Sequence, residues 1–177
     1  MKAKLCAFLL ATLALVGTPA LTRAQVVVIG DSNVAGRGVA ASENYTAQLE
    51  SALRAKGYQG TVTNAGINGD TVPGVLSRLD SAVPPGTKVV VLWVGANDRR
   101  AGVPVETIKA NKAAIVARLR ARGIKVVVVT HQIALALHTN PANVQQGDPQ
   151  THLTAAGYGA AVARTLPEIA AALGLRR

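Results

Sequence analysis

Three runs of apolar residues punctuate the chain, at Val26–Ile29, Lys88–Val94 and Ile124–Val129, each too short for a helix and each followed within a few residues by polar or glycine positions. Continuous rather than alternating hydrophobicity predicts strands covered on both faces. Thr61–Asn64 is a shorter fourth strand, second in chain order. Between them the apolar period changes to that of a helix. Tyr45, Leu49, Ala52 and Leu53 mark one over Glu43–Lys56, stopped by Gly57. Thr71–Ala82 opens on Thr and an early Pro73, carries Val75, Leu76 and Leu79, and ends before Pro84-Pro85-Gly86. Val105–Arg122 sets Ile108, Ala113, Ile115, Val116 and Leu119 against Lys109, Lys112, Arg118 and Arg122. Leu153–Leu173 is the last helix, interrupted by Pro167. Alternating strands and helices predict a three-layer α/β/α fold with a parallel, flavodoxin-like sheet in the order 2-1-3-4. The 22 residues from Thr130 to Thr151 read as one long loop, so the sheet has four strands, with room for at most a very short fifth.

The first residues have another character. Lys2 and Lys4 precede an apolar stretch from Leu5 to Val16, Thr18-Pro19-Ala20 breaks it, and Thr22-Arg23-Ala24 offers a small-residue cleavage site. Twelve apolar residues fall short of the ~20 that span a bilayer. Residues 1–24 therefore read as a secretory signal peptide, with an uncleaved N-terminal anchor as the alternative. Residues 25–177 form one domain, expected in the periplasm or outside the cell. Cleavage would remove Cys6, the only cysteine, leaving neither a disulfide nor a thiol nucleophile.

Without the leader, 16 basic residues face 9 acidic ones. The densest set is Arg118, Arg120, Arg122 and Lys125, on or beside a helix face, where solvated bases are ordinary. Aromatic residues are only 3% of the chain, too few for a base-stacking platform, so nucleic acid is not an expected partner. Weak attraction to an anionic membrane surface is the most this charge implies. No protein partner is evident. The three histidines lack metal-ligand spacing, and Gly36-Arg37-Gly38 is no dinucleotide fingerprint, so no metal or cofactor is expected.

The unusual polar residues gather in the loops that open on one edge of such a sheet. They are Gly30-Asp31-Ser32-Asn33, Asn64-Ala65-Gly66-Ile67-Asn68-Gly69-Asp70-Thr71, Gly95-Ala96-Asn97-Asp98 and Asp148-Pro149-Gln150-Thr151-His152. Together they supply a hydroxyl, glycine amides, a side-chain amide and an imidazole, the parts needed for acyl transfer. Each part has a plainer reading. Ser32 suits a helix cap, Gly66 and Gly69 suit turns, and Asp31, Asp70 and Asp98 suit bonds to loop amides.

In order and spacing, these four segments resemble the blocks of the SGNH or GDSL-type esterase and lipase superfamily, nearest its small periplasmic lysophospholipase/thioesterase and arylesterase-like members. The resemblance covers Val26 to the last helix. It implies an ester or thioester hydrolase with Ser32 as nucleophile and His152 as general base. The oxyanion hole would come from the backbone amides of Ser32 and Gly69 and the side chain of Asn97. It also implies a small-molecule ester as substrate. Two readings lie beside it: a degenerate member that binds lipid or carbohydrate, and a carbohydrate O-acetyl esterase.

Two features depart from the family pattern. The usual Asp-x-x-His would put the acid at position 149, which is proline, whereas Asp148 stands four residues before His152. Asp148 is the expected acid, and a Ser-His dyad with the ring held by Gln150 or a backbone carbonyl is the alternative. The segment before His152 is also short. His131 is the reserve base there, and His138 is expected in a solvent-exposed loop. Leu135, Leu137 and Val103 are expected to wall an acyl site, with Arg99 and Arg100 facing an anionic group or solvent.

Overall fold

The structure is a computed structural model and describes residues 25–175. The proposed leader, residues 1–24, lies outside the described residues.

Four parallel strands form one sheet: β1 (Gln25–Gly30), β2 (Thr61–Gly66), β3 (Thr87–Trp93) and β4 (Lys125–Val128), in the order β2-β1-β3-β4. This is the expected order. Side chains alternate across the pleat, so each strand feeds two cores. Val26, Val28, Val89, Val91 and Trp93 point to one face, and Val27, Ile29, Val90 and Leu92 to the other.

Helices α2 (Tyr45–Ala55) and α8 (Ala155–Leu173) cover the first face with Tyr45, Leu49, Leu53, Tyr158, Ala161 and Ile169. Trp93 meets Tyr45 and Tyr158 edge-on, at centroid separations of 5.4 and 6.4 Å. The Tyr45 hydroxyl lies 2.7 Å from Thr165 Oγ1, satisfying two groups that burial would otherwise penalise. Pro167 does not divide α8. Its missing N–H costs one intrahelical bond, and the packing of Ile169 and Ala170 holds the helix together past it.

The opposite face carries α3 (Val72–Ser77), α4 (Leu79–Ala82) and α6 (Val105–Ala121). The expected single helix over Thr71–Ala82 is thus two short ones. They part at Arg78, whose side chain turns inward to Asp70 and to the Gly30 carbonyl. In α6 Ile108, Ile115 and Leu119 form the buried face as expected, but Ala113 is exposed and Lys112, at the edge of that face, is half-buried.

The stretch read as one long loop also contains structure. Thr130 caps α7 (His131–His138) through its hydroxyl, and a 3-10 turn follows at Pro141–Asn143. The apolar residues Ile133 and Leu137 supply the contact that holds α7 on the first core. Instead of a fifth strand, a single antiparallel bridge joins Val144 and Leu153.

The C-terminal ends of β1 and β2 meet at glycines that admit no side chain. A Cβ on Gly30 would lie 1.8 Å from the Trp93 carbonyl oxygen. One on Gly66 would lie 2.2 Å from the Ala35 nitrogen. Gly66 is therefore no turn residue. It ends β2 opposite Gly30, and its lack of a side chain lets the short helix α1 (Ser32–Ala35) lie against the strand.

Candidate active site

Ser32 opens α1 one residue beyond β1. The cap is Asp31, whose Oδ1 accepts the Asn33 N–H at 3.1 Å, so the serine hydroxyl is not spent on capping. Ser32 Oγ lies 2.8 Å from His152 Nε2. Across the ring, His152 Nδ1 is 2.5 Å from Asp148 Oδ2, and the same oxygen accepts the His152 backbone N–H at 2.7 Å. Ser32 and His152 are only 4% and 2% exposed, so bulk water does not compete for their hydrogen bond.

The displaced acid reaches the ring through a tight turn. The Gln150 N–H donates to Asp148 Oδ1 at 3.1 Å and the Thr151 N–H to the Asp148 carbonyl at 3.0 Å. Thr151 has φ 55°, the one non-glycine residue in the left-handed region among those described. The additional residue is taken up there. The His152 N–H bond is the largest influence on Asp148, and the Gln150 bond and the imidazole add to it; together they hold the carboxyl down at about 2. Gln150 turns away, its Oε1 lying 3.4 Å from Arg37 Nη1.

Gly69 has φ 79° in the turn after β2. Among the described residues, neither its N–H nor that of Ser32 donates to another group of the protein. Asn97, in α5 (Ala96–Arg100), donates from Nδ2 to the Asp70 carbonyl at 2.7 Å, and its Oδ1 accepts from Arg100 at 2.6 Å. An amide nitrogen has two hydrogens, so one remains for a ligand.

Asp31, Asp70 and Asp98 bond loop amides as expected, and Asp98 also fastens one loop to another. Both oxygens of Asp98 accept the Val72 N–H, at 3.1 and 3.2 Å. Asp70 takes the Thr71 N–H at 2.9 Å and Arg78 Nε at 2.8 Å. Arg78 also reaches the Gly30 carbonyl at 3.2 Å, tying the end of β1 to the loop after β2. Sequence reading missed Arg78, because nothing in its spacing separates it from a solvent-facing helical base.

A cavity of about 210 Å³ opens on Ser32 and His152. Leu135 lines it as expected. Leu137 instead lies fully buried in the first core and Val103 packs on the second, so neither walls the cavity. Arg99 and Arg100 both face it. His131 also lines it, but the imidazole that meets Ser32 is that of His152. His138 is exposed yet sits on α7 rather than in a loop. Its Nδ1 lies 2.6 Å from the Ala134 carbonyl and its Nε2 3.0 Å from that of Thr151, beside the histidine turn. Lys112, read from sequence as solvent-facing, lines the same cavity.

Residues 28–176 match the model of the GDSL-like Lipase/Acylhydrolase family. The chain belongs to this family. Over 109 residues it is 34% identical to Esterase TesA of Pseudomonas aeruginosa, a match covering 61% of this chain and 54% of that protein. It is 31% identical over 106 residues to an arylesterase of Vibrio mimicus, covering 59% and 53%. It thus spans about half the length of the curated relatives it matches. In fold it is similar to the crystal structure of TesA, with TM-score 0.70 at 24% identity, covering 84% of this chain and 99% of that one. It is also similar to the psychrotrophic esterase EstA from Pseudoalteromonas sp., with TM-score 0.69 at 19% identity, covering 82% and 97%. These likenesses at the level of fold agree with the four-stranded parallel sheet.

Proposed function

We propose that this protein hydrolyses carboxylic esters or thioesters through an acyl-enzyme on Ser32. The observation that carries the reading is the unbroken line from Ser32 Oγ through the His152 ring to Asp148, at 2.8 and 2.5 Å. A serine hydroxyl becomes nucleophilic when a base takes its proton, and that base needs a partner once it is charged.

In the first step Ser32 Oγ adds to the substrate carbonyl as His152 Nε2 accepts its proton. The oxyanion is held by the Ser32 and Gly69 N–H groups and the remaining Asn97 hydrogen. Each such donor contributes roughly 10²–10³ to the rate. Collapse breaks the bond to the alcohol or thiol, which leaves with the proton from His152. Water then repeats the sequence in reverse, giving the carboxylic acid and free Ser32. Asp148 orients the ring and balances the imidazolium. The names of the relatives, an esterase and an arylesterase, support the same chemistry.

The test is hydrolysis of 4-nitrophenyl acetate and longer esters by wild type and Ser32→Ala. Turnover by wild type alone is expected, with a fluorophosphonate labelling Ser32. Equal rates across all chain lengths would overturn the reading and leave a binding protein on this fold. Export is a further part of the proposal, supported by the leader-like residues 1–24; N-terminal sequencing of protein from the periplasm or medium tests it.

A further inference from the structure

Resting on that reading, we infer that the substrate carries a carboxylate or phosphate, held by Lys112 and Arg99 in the cavity that contains Ser32. Arg99, Arg100, Lys112 and His131 all line this cavity, and Asp31 is the one acidic side chain that does. The bases come from three separate elements, α5, α6 and α7, so their convergence is tertiary and not a charged run in sequence.

Lys112 is the central cation of this cluster. It reaches inward from α6 over Gly95, where a Cβ would lie 3.0 Å from its Cε and 3.1 Å from its Nζ. The glycine thus leaves space for the ammonium. Among the described residues, neither the Lys112 ammonium nor the Arg99 guanidinium has a hydrogen bond or an ion pair. Lys109, one turn earlier on the same helix, pairs with Glu106 at 2.8 Å.

Among the described residues the nearby acids form no ion pair with the cluster: both Asp98 oxygens accept the Val72 N–H and Asp31 caps α1. Their charges favour the Lys112 ammonium only as lesser influences than burial and Arg99. Burial, and next the Arg99 charge, push the Lys112 ammonium below its ordinary range. Burial, then Arg99 and Lys112, do the same to His131. Half-buried cations left without partners cost stability, and such costs persist where a ligand supplies the missing charge. Arg99 offers a planar fork and Lys112 a point charge, a combination suited to a compact oxyanion.

The experiment compares matched esters. 4-Acetoxybenzoate is set against its methyl ester, and the 4-nitrophenyl monoester of adipic acid against 4-nitrophenyl pentanoate. 4-Acetoxyphenyl phosphate replaces the benzoate in a third arm. The readout is the ratio of kcat/KM, anionic to neutral, which cancels effects common to both. For at least one pair the ratio is expected to fall on the order of tenfold or more in Lys112→Met. It should persist in Lys112→Arg and shrink between about 0.05 and 0.5 M salt. Which pair responds tells whether the anion lies on the acyl or the leaving side, and the phosphate arm tells which anion is preferred. A ratio unchanged in Lys112→Met and Arg99→Met, with both variants folded by circular dichroism, overturns the inference while ester turnover leaves the hydrolase reading intact. If no ester is cleaved, the hydrolase reading fails by itself. Benzoate binding to wild type and Lys112→Met then decides this inference: weaker binding in the variant sustains it, and equal binding or none ends it.

Discussion

A single carboxylate oxygen, Asp148 Oδ2, accepts both the backbone N–H and the ring Nδ1 of His152, at 2.7 and 2.5 Å. The acid therefore fixes the chain at His152 as well as the orientation of its ring. With Nδ1 as the donor, Nε2 is left with its lone pair toward Ser32 Oγ.

From this follows the effect of Asp148→Asn. An amide in place of the carboxylate removes the charge opposite the imidazolium and can favour the wrong tautomer. The expected loss in kcat is ~10³–10⁴-fold, with KM changed far less. Steady-state kinetics on a 4-nitrophenyl ester checks it, and a loss below tenfold would indicate a working Ser-His dyad.

The same carboxylate gives a pH signature. Its native pKa, about 2, lies below the ordinary carboxylate value of 3.8. The unfolded chain therefore takes up the proton first as pH falls, so the stability Asp148 contributes is complete above about pH 5 and is lost toward pH 2. Thermal midpoints of wild type and Asp148→Asn should differ at pH 6 and converge between about pH 4 and pH 2. A constant gap would count against the linkage.

Thr151 holds the left-handed conformation that absorbs the additional residue before His152. A β-branched side chain there costs about 1–2 kcal/mol, which asparagine largely avoids. Thr151→Asn is expected to raise stability by about 0.5–1 kcal/mol by chemical denaturation while turnover is kept. A drop would mean that the Thr151 hydroxyl bond to the Gln150 carbonyl outweighs the strain.

Gly66→Ala tests the close approach beneath the nucleophile. Its Cβ would lie 2.2 Å from the Ala35 nitrogen and 2.6 Å from the Val34 carbonyl carbon, where only backbone can yield. About 3 kcal/mol of destabilisation is expected, with kcat reduced as α1 and Ser32 are displaced. Unchanged melting and turnover would show that the contact is easily relieved.

Asp98→Ala removes the acceptor of the Val72 N–H, which is buried between two loops. An unsatisfied amide there costs about 1–3 kcal/mol. The stability loss is expected to come with lower activity, because Asn97 adjoins the severed link.

Much of this was legible in sequence, for definite physical reasons. Strands buried on both faces must be apolar throughout, so Val26–Ile29 and Lys88–Val94 declare themselves, and strand-helix alternation leaves few parallel topologies. Loops following such strands share one edge, which is why Ser32, Asn97 and His152 could be grouped. Gly66 was misread because a glycine excluded by a neighbouring backbone looks, in one dimension, like a glycine in a turn. The helix over His131–His138 was missed because eight residues carry too little periodicity to stand apart from a loop. Lys112 and Arg78 were missed because a long basic side chain can snorkel or turn inward from the same position, and only its surroundings decide.

The sequence alone thus determined the layer order, the strands and the cast of polar loop residues, all local consequences of burial and turn chemistry. Tertiary structure decided the rest. A left-handed Thr151 brings Asp148 to a histidine one residue farther away than the family spacing allows. The space over Gly95 lets Lys112 turn from the edge of the buried face of α6 into the cavity. The first rests on a backbone conformation that a β-branched residue rarely adopts and the second on contacts between segments distant in the chain, and no local pattern encodes either.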